Sequence, residues 1–462
     1  MAGETPVSAP NASDLGDLPP LARHSRPKAR NLALIGVLAG DPFVGRPDTR
    51  PMQRRWLVLI AVSLMFFFIS STTFMSLGVL LFAMSRDLHW TQTQAGGGFT
   101  VLGLACCLSS LVPMALVSRI GSRWTMLLGG LMLAAGFFLA FLTHGLMLFL
   151  LAMALLGVGF SLSANIPGVY LLARWFPARS GRVIGVYLMF GAFGGVAGPP
   201  LAQAVMASAG WRVWWLTLAL AAAAMGLMCL LLIRDGDAAP ADAGDAGGPA
   251  ADPLDWRYRE AVLTPQFVIL AAGMVITEAC VTVVHSAAVI HFSRLGISPA
   301  FAAAMLGLQA FMATAAKGLS GALGERVSLR LLLAAGLVVQ ALGVMLLARA
   351  NSPILAYAFA FAFGAGWGTA YLTITVLLIT YFGARTGSAV LSLVWLLTAF
   401  ASLGPAGAGM IADRFGSYGP AFDIGGVLLL PIAAATLLMR PPQRKAEALA
   451  PSLAEPLVAD PL

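Results

Sequence analysis

Two ionisable side chains interrupt long apolar runs of this sequence: Glu278 in "VITEACVTVVH" and Lys317 in "ATAAKGLSG". In a bilayer core a charged side chain costs at least ~2.5–3.5 kcal/mol on insertion scales, so each is a functional candidate by default. Glu278 lies about twelve residues into its run, roughly 18 Å from the start at helical rise, too deep for its side chain to reach water. Thr282 and His285 follow at i+4 and i+7, on the same helical face. A carboxyl removed from water holds its proton more readily, so this stripe suits a proton-coupling site centred on Glu278. The alternative is a protonated Glu278 hydrogen-bonded to a neighbouring helix as structural glue. Lys317 is the sole lysine between Lys28 and Lys445. As a compact point charge it suits attraction of an anion. Alternatively its long stem, about two turns from the end of its run, carries the ammonium to the membrane surface. His291, further along the run of Glu278, points elsewhere and reads as an interfacial residue.

These residues need elements that can hold them in lipid. Of the 462 residues 59% are hydrophobic and 10% charged, against roughly 25% charged in soluble proteins. The chain lacks the polar surface of a water-borne globule. Twelve apolar runs, each long enough to cross a bilayer as a helix, lie at 56–84, 92–117, 124–143, 146–173, 183–209, 212–233, 266–293, 299–323, 330–349, 353–380, 387–411 and 418–439. They are continuously apolar and do not alternate, which predicts helices and not a barrel. With the N-terminus inside, 22 Lys and Arg fall on inner segments and five on outer ones (Arg86, Arg212, Arg294, Arg349, Arg414). Both termini are therefore expected in the cytoplasm, with the chain in the plasma (inner) membrane. The net charge of +8 reflects this bias and not a nucleic-acid partner. Residues 30–40, "RNLALIGVLAG", are too short to span and read as part of a mobile or interfacial tail. The four cysteines lie within apolar runs without metal-ligand partners and read as packing residues; neither metal nor cofactor is expected.

The chain also repeats itself. "WFPARSG" at 175–181 returns as "YFGARTG" at 381–387, and at the same offset of 206 Gly198-Pro199 returns as Gly404-Pro405. At offset 207, "SRIGSR" (118–123) returns as "ERVSLR" (325–330). The Ala-, Asp-, Gly- and Pro-rich segment 234–260 divides six runs from six. The expected organisation is a cytoplasmic tail (1–55), a six-helix bundle (56–233), a cytoplasmic linker (234–265), a second six-helix bundle (266–439) and a C-terminal tail (440–462). Parallel halves of this kind build alternating-access carriers. Within the halves, "SSTT" (70–73) and Asn165 are polar residues in first-half runs. Tyr371 is the repeat partner of Asn165, and Trp367 lies one turn before it. These suggest a cavity lined by Lys317, Asn165, Tyr371, Trp367 and His285; aromatics at such positions also serve simply as packing. Glycines 191, 194, 195 and 198 permit close helix approach.

Twelve helices, two halves, a central inner linker and a basic turn after the second and eighth runs resemble the major facilitator superfamily. Its loop pattern is Gly-x-x-x-Asp-Arg-x-Gly-x-Arg. Arg119, Gly121 and Arg123 match it, while Ser118 replaces the acid and Met114 the first glycine. In the second copy Gly321, Glu325, Arg326 and Arg330 match and Ser328 replaces the later glycine. The resemblance implies a conformational role for these residues and for Arg179 and Arg385, with Glu325 carrying the inner charge relay alone. It also implies an all-α fold of two pseudo-symmetric six-helix bundles. Within the superfamily, "RWFPARSGRVIGVYLMFGAFGGVAGPPL" and "GPAGAGMIADRFGSYGPAF" are most similar to the monocarboxylate porters and oxalate/formate exchangers. "KGLSGALGER" resembles that subgroup's Arg-x-x-x-Gly-x-x-x-Asp-Arg, with Lys317 for the arginine that binds substrate carboxylate there. The oxalate exchangers add a lysine in the eleventh helix. Residues 387–411 here hold no charge, which favours a single carboxylate.

The expectation is a monomeric secondary carrier of a small organic anion, coupled to protons or a counter-anion. A proton-driven drug or hydrophobic-cation exporter is the rival, in which Glu278 would take the cation. A membrane-embedded receptor or enzyme has little support, for the chain carries no nucleotide loop, metal cluster or nucleophile–base constellation.

Overall fold

The computed structural model describes residues 52–176, 179–233 and 256–442. The stretch 30–40 and most of both tails and of the linker lie outside these residues. Among the described residues, ten helices are long and apolar enough to cross a membrane. The chain makes twelve passes, because sharp bends divide two of the helical stretches. Val112–Phe141 turns at Gly121 (φ 84°) and Ser180–Leu232 at Gly210 (φ 79°). Both angles lie where a β-carbon is disfavoured, so these two reversals require glycine. The spans in order are Met52–Asp87, 92–120, 122–141, 146–175, 180–209, 211–232, Pro265–Arg294, Pro299–Leu323, Leu329–Ala348, Pro353–Phe382, 384–415 and Gly419–Leu438.

Four spans are broken where the runs suggested continuous helices; one of them, the second, is interrupted between Leu108 and Val112, where the Ser109 hydroxyl donates to the Ala105 carbonyl at 2.6 Å. The first is interrupted between Thr72 and Leu77. There the Ser71, Thr72 and Thr73 hydroxyls donate back to the carbonyls of Phe68, Phe68 and Ile69 at 2.9, 2.8 and 2.5 Å, and Ser76 donates to the Ser71 carbonyl. Such bonds compete with the helical ladder. They also correct the reading of "SSTT" as cavity lining, for Ser71, Thr72 and Thr73 are buried and satisfied by their own helix. The fourth span breaks at Ala164 (φ −89°, ψ −140°), and a fresh helix starts at Asn165. The eleventh breaks at a 3-10 turn, Ala401–Leu403.

Buried side chains gather in two cores. One is drawn from residues 58–233 and is centred on Phe137, Trp215 and Tyr187; the other, from 261–439 with Val79, is centred on Phe359, Phe363 and Phe422. Each has the same aromatic clasp at the end bearing the chain termini. Phe176 meets the Trp56 ring edge-on at 5.9 Å, and its repeat partner Phe382 meets Trp256 edge-on at 5.6 Å. His291 is not interfacial: it is 2% exposed, its Nε2 lies 3.0 Å from the Leu347 carbonyl, and its ring packs on Phe422. The reason is that the ninth span ends there and leaves carbonyls in need of partners.

The hydrogen bonds joining the two sets of spans cluster at the end opposite the termini. Asp413 accepts from the backbone N–H groups of Gln92 (2.8 Å) and Thr93 (2.9 Å) and from the Thr93 hydroxyl (2.6 Å). Tyr418 donates to the Gln92 amide oxygen at 3.1 Å, and the Ala406 N–H donates to Thr100 at 3.2 Å. Close backbone packing continues the seam, with Gly78 against His285 and Gly307 against Val196. Toward the terminal end the seam parts among the described residues: Gly181 and Gly185 face open space, and Leu188 and Met189 are exposed.

Candidate functional site

Lys317 and Glu278 sit where the seam parts, half-buried on facing spans. Side chains on a helix lean toward its N-terminus, and the eighth span begins at the end opposite the termini. The Lys317 stem therefore leans inward and away from the nearer membrane surface. Its Nζ lies over the Tyr371 ring, 4.2 Å from the centroid, and 5.0 Å from that of Trp367. These are cation–π distances. Trp367 in turn donates its Nε1–H to Glu278 Oε1 at 3.0 Å, and the His285 ring meets it edge-on at 6.1 Å. One indole thus touches the cation, the acid and the histidine. The tenth span can place it so because Gly364, Gly366 and Gly368 let the neighbouring spans press against its backbone. Trp395 of the eleventh span, 39% exposed, packs on Tyr371 at 5.5 Å and continues the aromatic wall.

No ion pair joins Lys317 to Glu278 among the described residues. The ammonium is held by ring faces and the carboxyl by an indole N–H. The two groups still attract each other through space, and with no direct ion pair between them the ammonium keeps its N–H donors for an incoming carboxylate.

The three-residue stripe is only partly assembled. Glu278 and His285 converge on Trp367, whereas Thr282 donates to the Ala401 carbonyl at 3.1 Å, toward the eleventh span. His285 is 2% exposed and faces Gln309, itself fully buried. Gln309 was not among the residues singled out by charge or repeat. Nor was Gln340, whose amide exchanges two bonds of 3.2 Å with Thr277, the residue just before Glu278. Asn165 opens the second half of the broken fourth span; its side chain, like that of Arg385, lies outside the described ones.

The motif residues lie at the terminal end. Arg119, Arg179, Glu325 and Arg326 are exposed. Gly121 forms the turn described above, and Arg123 is half-buried with its guanidinium 5.4 Å from the Trp124 ring centroid. Arg330 donates to the Met439 carbonyl, tying the ninth span to the end of the twelfth. Glu325 enters no ion pair among the described residues.

The long apolar spans in two helical cores, with a lysine and a glutamate held on aromatic side chains of the second, are those of an integral membrane protein. Residues 60–293, half of the chain, match the model of the Major Facilitator Superfamily, and the chain belongs to that superfamily. A bacterial homolog of the human lysosomal transporter Spinster, solved in an inward-facing, unoccupied conformation, superposes with a TM-score of 0.66 at 17% identity, over 84% of this chain and 97% of that one. The nucleoside transporter NupG superposes with a TM-score of 0.67 at 13% identity, over 84% and 99%. At these identities the likeness is one of fold.

Proposed function

We propose that this superfamily carrier moves a small organic monocarboxylate by alternating access, with Lys317 as the anion site and Glu278 as the coupled proton site. The observation that carries the reading is the position of Lys317 Nζ over Tyr371 and Trp367. A lysine that snorkelled to the surface would not lie on two aromatic faces of the second core. Tyr371, Trp367 and Trp395 give an apolar wall suited to a short carbon chain. His285 meets Trp367 of the same wall, and Asn165, the repeat partner of Tyr371, is assigned to the substrate site from the first half. The absence of charge in 387–411 supports one carboxylate and not two.

Sharing Trp367 gives a coupling route. A carboxylate drawn to Lys317 places negative charge beside Glu278 and favours the protonated acid; the proton, once on, lowers the repulsion that the anion meets. The chain operates as a monomer in the plasma membrane. Its two six-helix halves (56–233 and 266–439) flank the linker 234–265, and the tails 1–55 and 440–462 are cytoplasmic. The parted end of the seam then faces the cytoplasm, and the Asp413 contacts close the outer mouth. Arg119, Gly121, Arg123, Arg179, Glu325, Arg326, Arg330 and Arg385 act at the inner end, closing it when the mouth opens.

The test is uptake of a panel of radiolabelled carboxylates into proteoliposomes, with and without a proton gradient. Gradient-dependent accumulation of monocarboxylates is expected. Competition by lipophilic cations but not by carboxylates would refute the anion assignment.

A further inference from the structure

A second basic cleft lies at the mouth, well away from Lys317. It encloses about 230 Å³ between the ends of the first and seventh spans and the start of the second, and its walls include Arg86, Arg294, Ser85, Gln92, Trp90 and Phe82. Each arginine comes from a different core. The Arg86 guanidinium contacts only the Phe82 ring, at 5.9 Å, among the described residues. Arg294 spends one N–H on the Gly416 carbonyl at 2.9 Å and keeps its other donors. The Ser85 hydroxyl is buried without a partner among the described residues. The Gln92 amide uses its oxygen on Tyr418, leaving its NH2 group free to donate. No carboxylate is among the lining residues; Asp413, which accepts from Gln92 and Thr93, and Asp87, next to Arg86 in the chain and accepting from the Trp211 Nε1–H at 2.6 Å, both have partners of their own.

We propose that this cleft is a second anion site, which takes a small monocarboxylate at the mouth when the mouth is shut. A guanidinium fork matches the two oxygens of a carboxylate better than it matches a spherical ion. Trp90, Phe82 and Ile290 offer an apolar wall to a short tail. An anion held by Arg86 on one side and Arg294 on the other bridges the two cores, so its binding favours the shut mouth over the open one, by differential affinity for the two states. External carboxylate would then slow the return of the empty carrier. The proposal does not depend on Lys317 binding cargo.

The test uses full-length protein whose four native cysteines are replaced, with spin labels at His144→Cys and Asn351→Cys, exposed positions in the matching loops of the two halves. Lys317→Ala is added to remove the central site. Millimolar sodium propionate is expected to shift the inter-label distance distribution toward the shorter, shut population. Arg86→Gln should raise the half-maximal propionate concentration at least tenfold, and Arg86→Lys should lie between. No response to propionate in the Lys317→Ala protein, or the same response in Arg86→Gln, overturns the site. Sodium chloride acting as well as propionate overturns the carboxylate assignment. Because the central site is already removed, these failures leave the reading of Lys317 untouched.

Discussion

Replacing Asp413 by alanine should unlatch the mouth. The carboxylate accepts three bonds of 2.6–2.9 Å across the seam, two of them from N–H groups in the first turn of the second span. Those N–H groups have no partner within their own helix, and the helix dipole adds to the attraction. Hydrogen bonds to a charged group contribute about 1.5–3 kcal/mol each when buried. Asp413 is exposed, so solvent takes a large share, and a total of about 2 kcal/mol is the reasonable figure. At about 1.4 kcal/mol per decade this changes the shut-to-open ratio roughly 30-fold. A carrier that is ~99:1 shut would fall to ~3:1. The Tyr418–Gln92 and Thr100–Ala406 bonds remain and keep the shut state the majority. Spin labels at His144→Cys and Asn351→Cys read the outcome directly: a second, longer distance population should appear. Asp413→Asn keeps one acceptor oxygen and should give an intermediate population. A distance distribution identical to that of the parent would refute the latch.

Lys317→Ala should abolish saturable monocarboxylate uptake in proteoliposomes, and Lys317→Arg should retain much of it; normal uptake by the alanine variant would mean that the ammonium plays no part in binding. Glu278→Gln fixes the protonated form, so substrate exchange should persist while accumulation no longer follows the pH gradient, as flux at several imposed gradients would report. Gln340→Leu leaves the buried Thr277 hydroxyl unpaired and should cost about 1–3 kcal/mol, whereas the double change with Thr277→Val should recover most of it, as read by thermal melting in detergent. Cysteines placed within 235–255 should be labelled by membrane-impermeant reagent in inside-out vesicles and not in intact cells.

Charge made the core of the site legible. Glu278 and Lys317 stand out because lipid leaves few reasons to keep an ion, and the offset of 206 brought Tyr371 and Trp367 into view. The common role of Trp367 was not legible, because it rests on three contacts from two other spans. Neutral Gln309 and Gln340 gave no signal above that of an ordinary polar residue. Asp413 stood in a quoted motif, yet its partners lie about 320 positions away, and no local pattern announces them. His291 was misplaced for the complementary reason: its position in the run suggested an interface, but the partner that buries it is the end of a different span. The breaks at Ala164 and after Thr72 escaped because apolar composition alone does not register a change in backbone direction.

The paired clasps, Phe176 on Trp56 and Phe382 on Trp256, bear on how such a molecule moves. Each pins the start of a half to the loop that leaves its fourth span, so neither half can fray at the end where it must swing. Deformation is left to the seam and to the segments between the halves, as a hinge leaves two stiff plates flat. A variant that loosens one clasp would therefore behave like a soft lever: the force of cargo binding would go into bending the half and would not reach the far mouth.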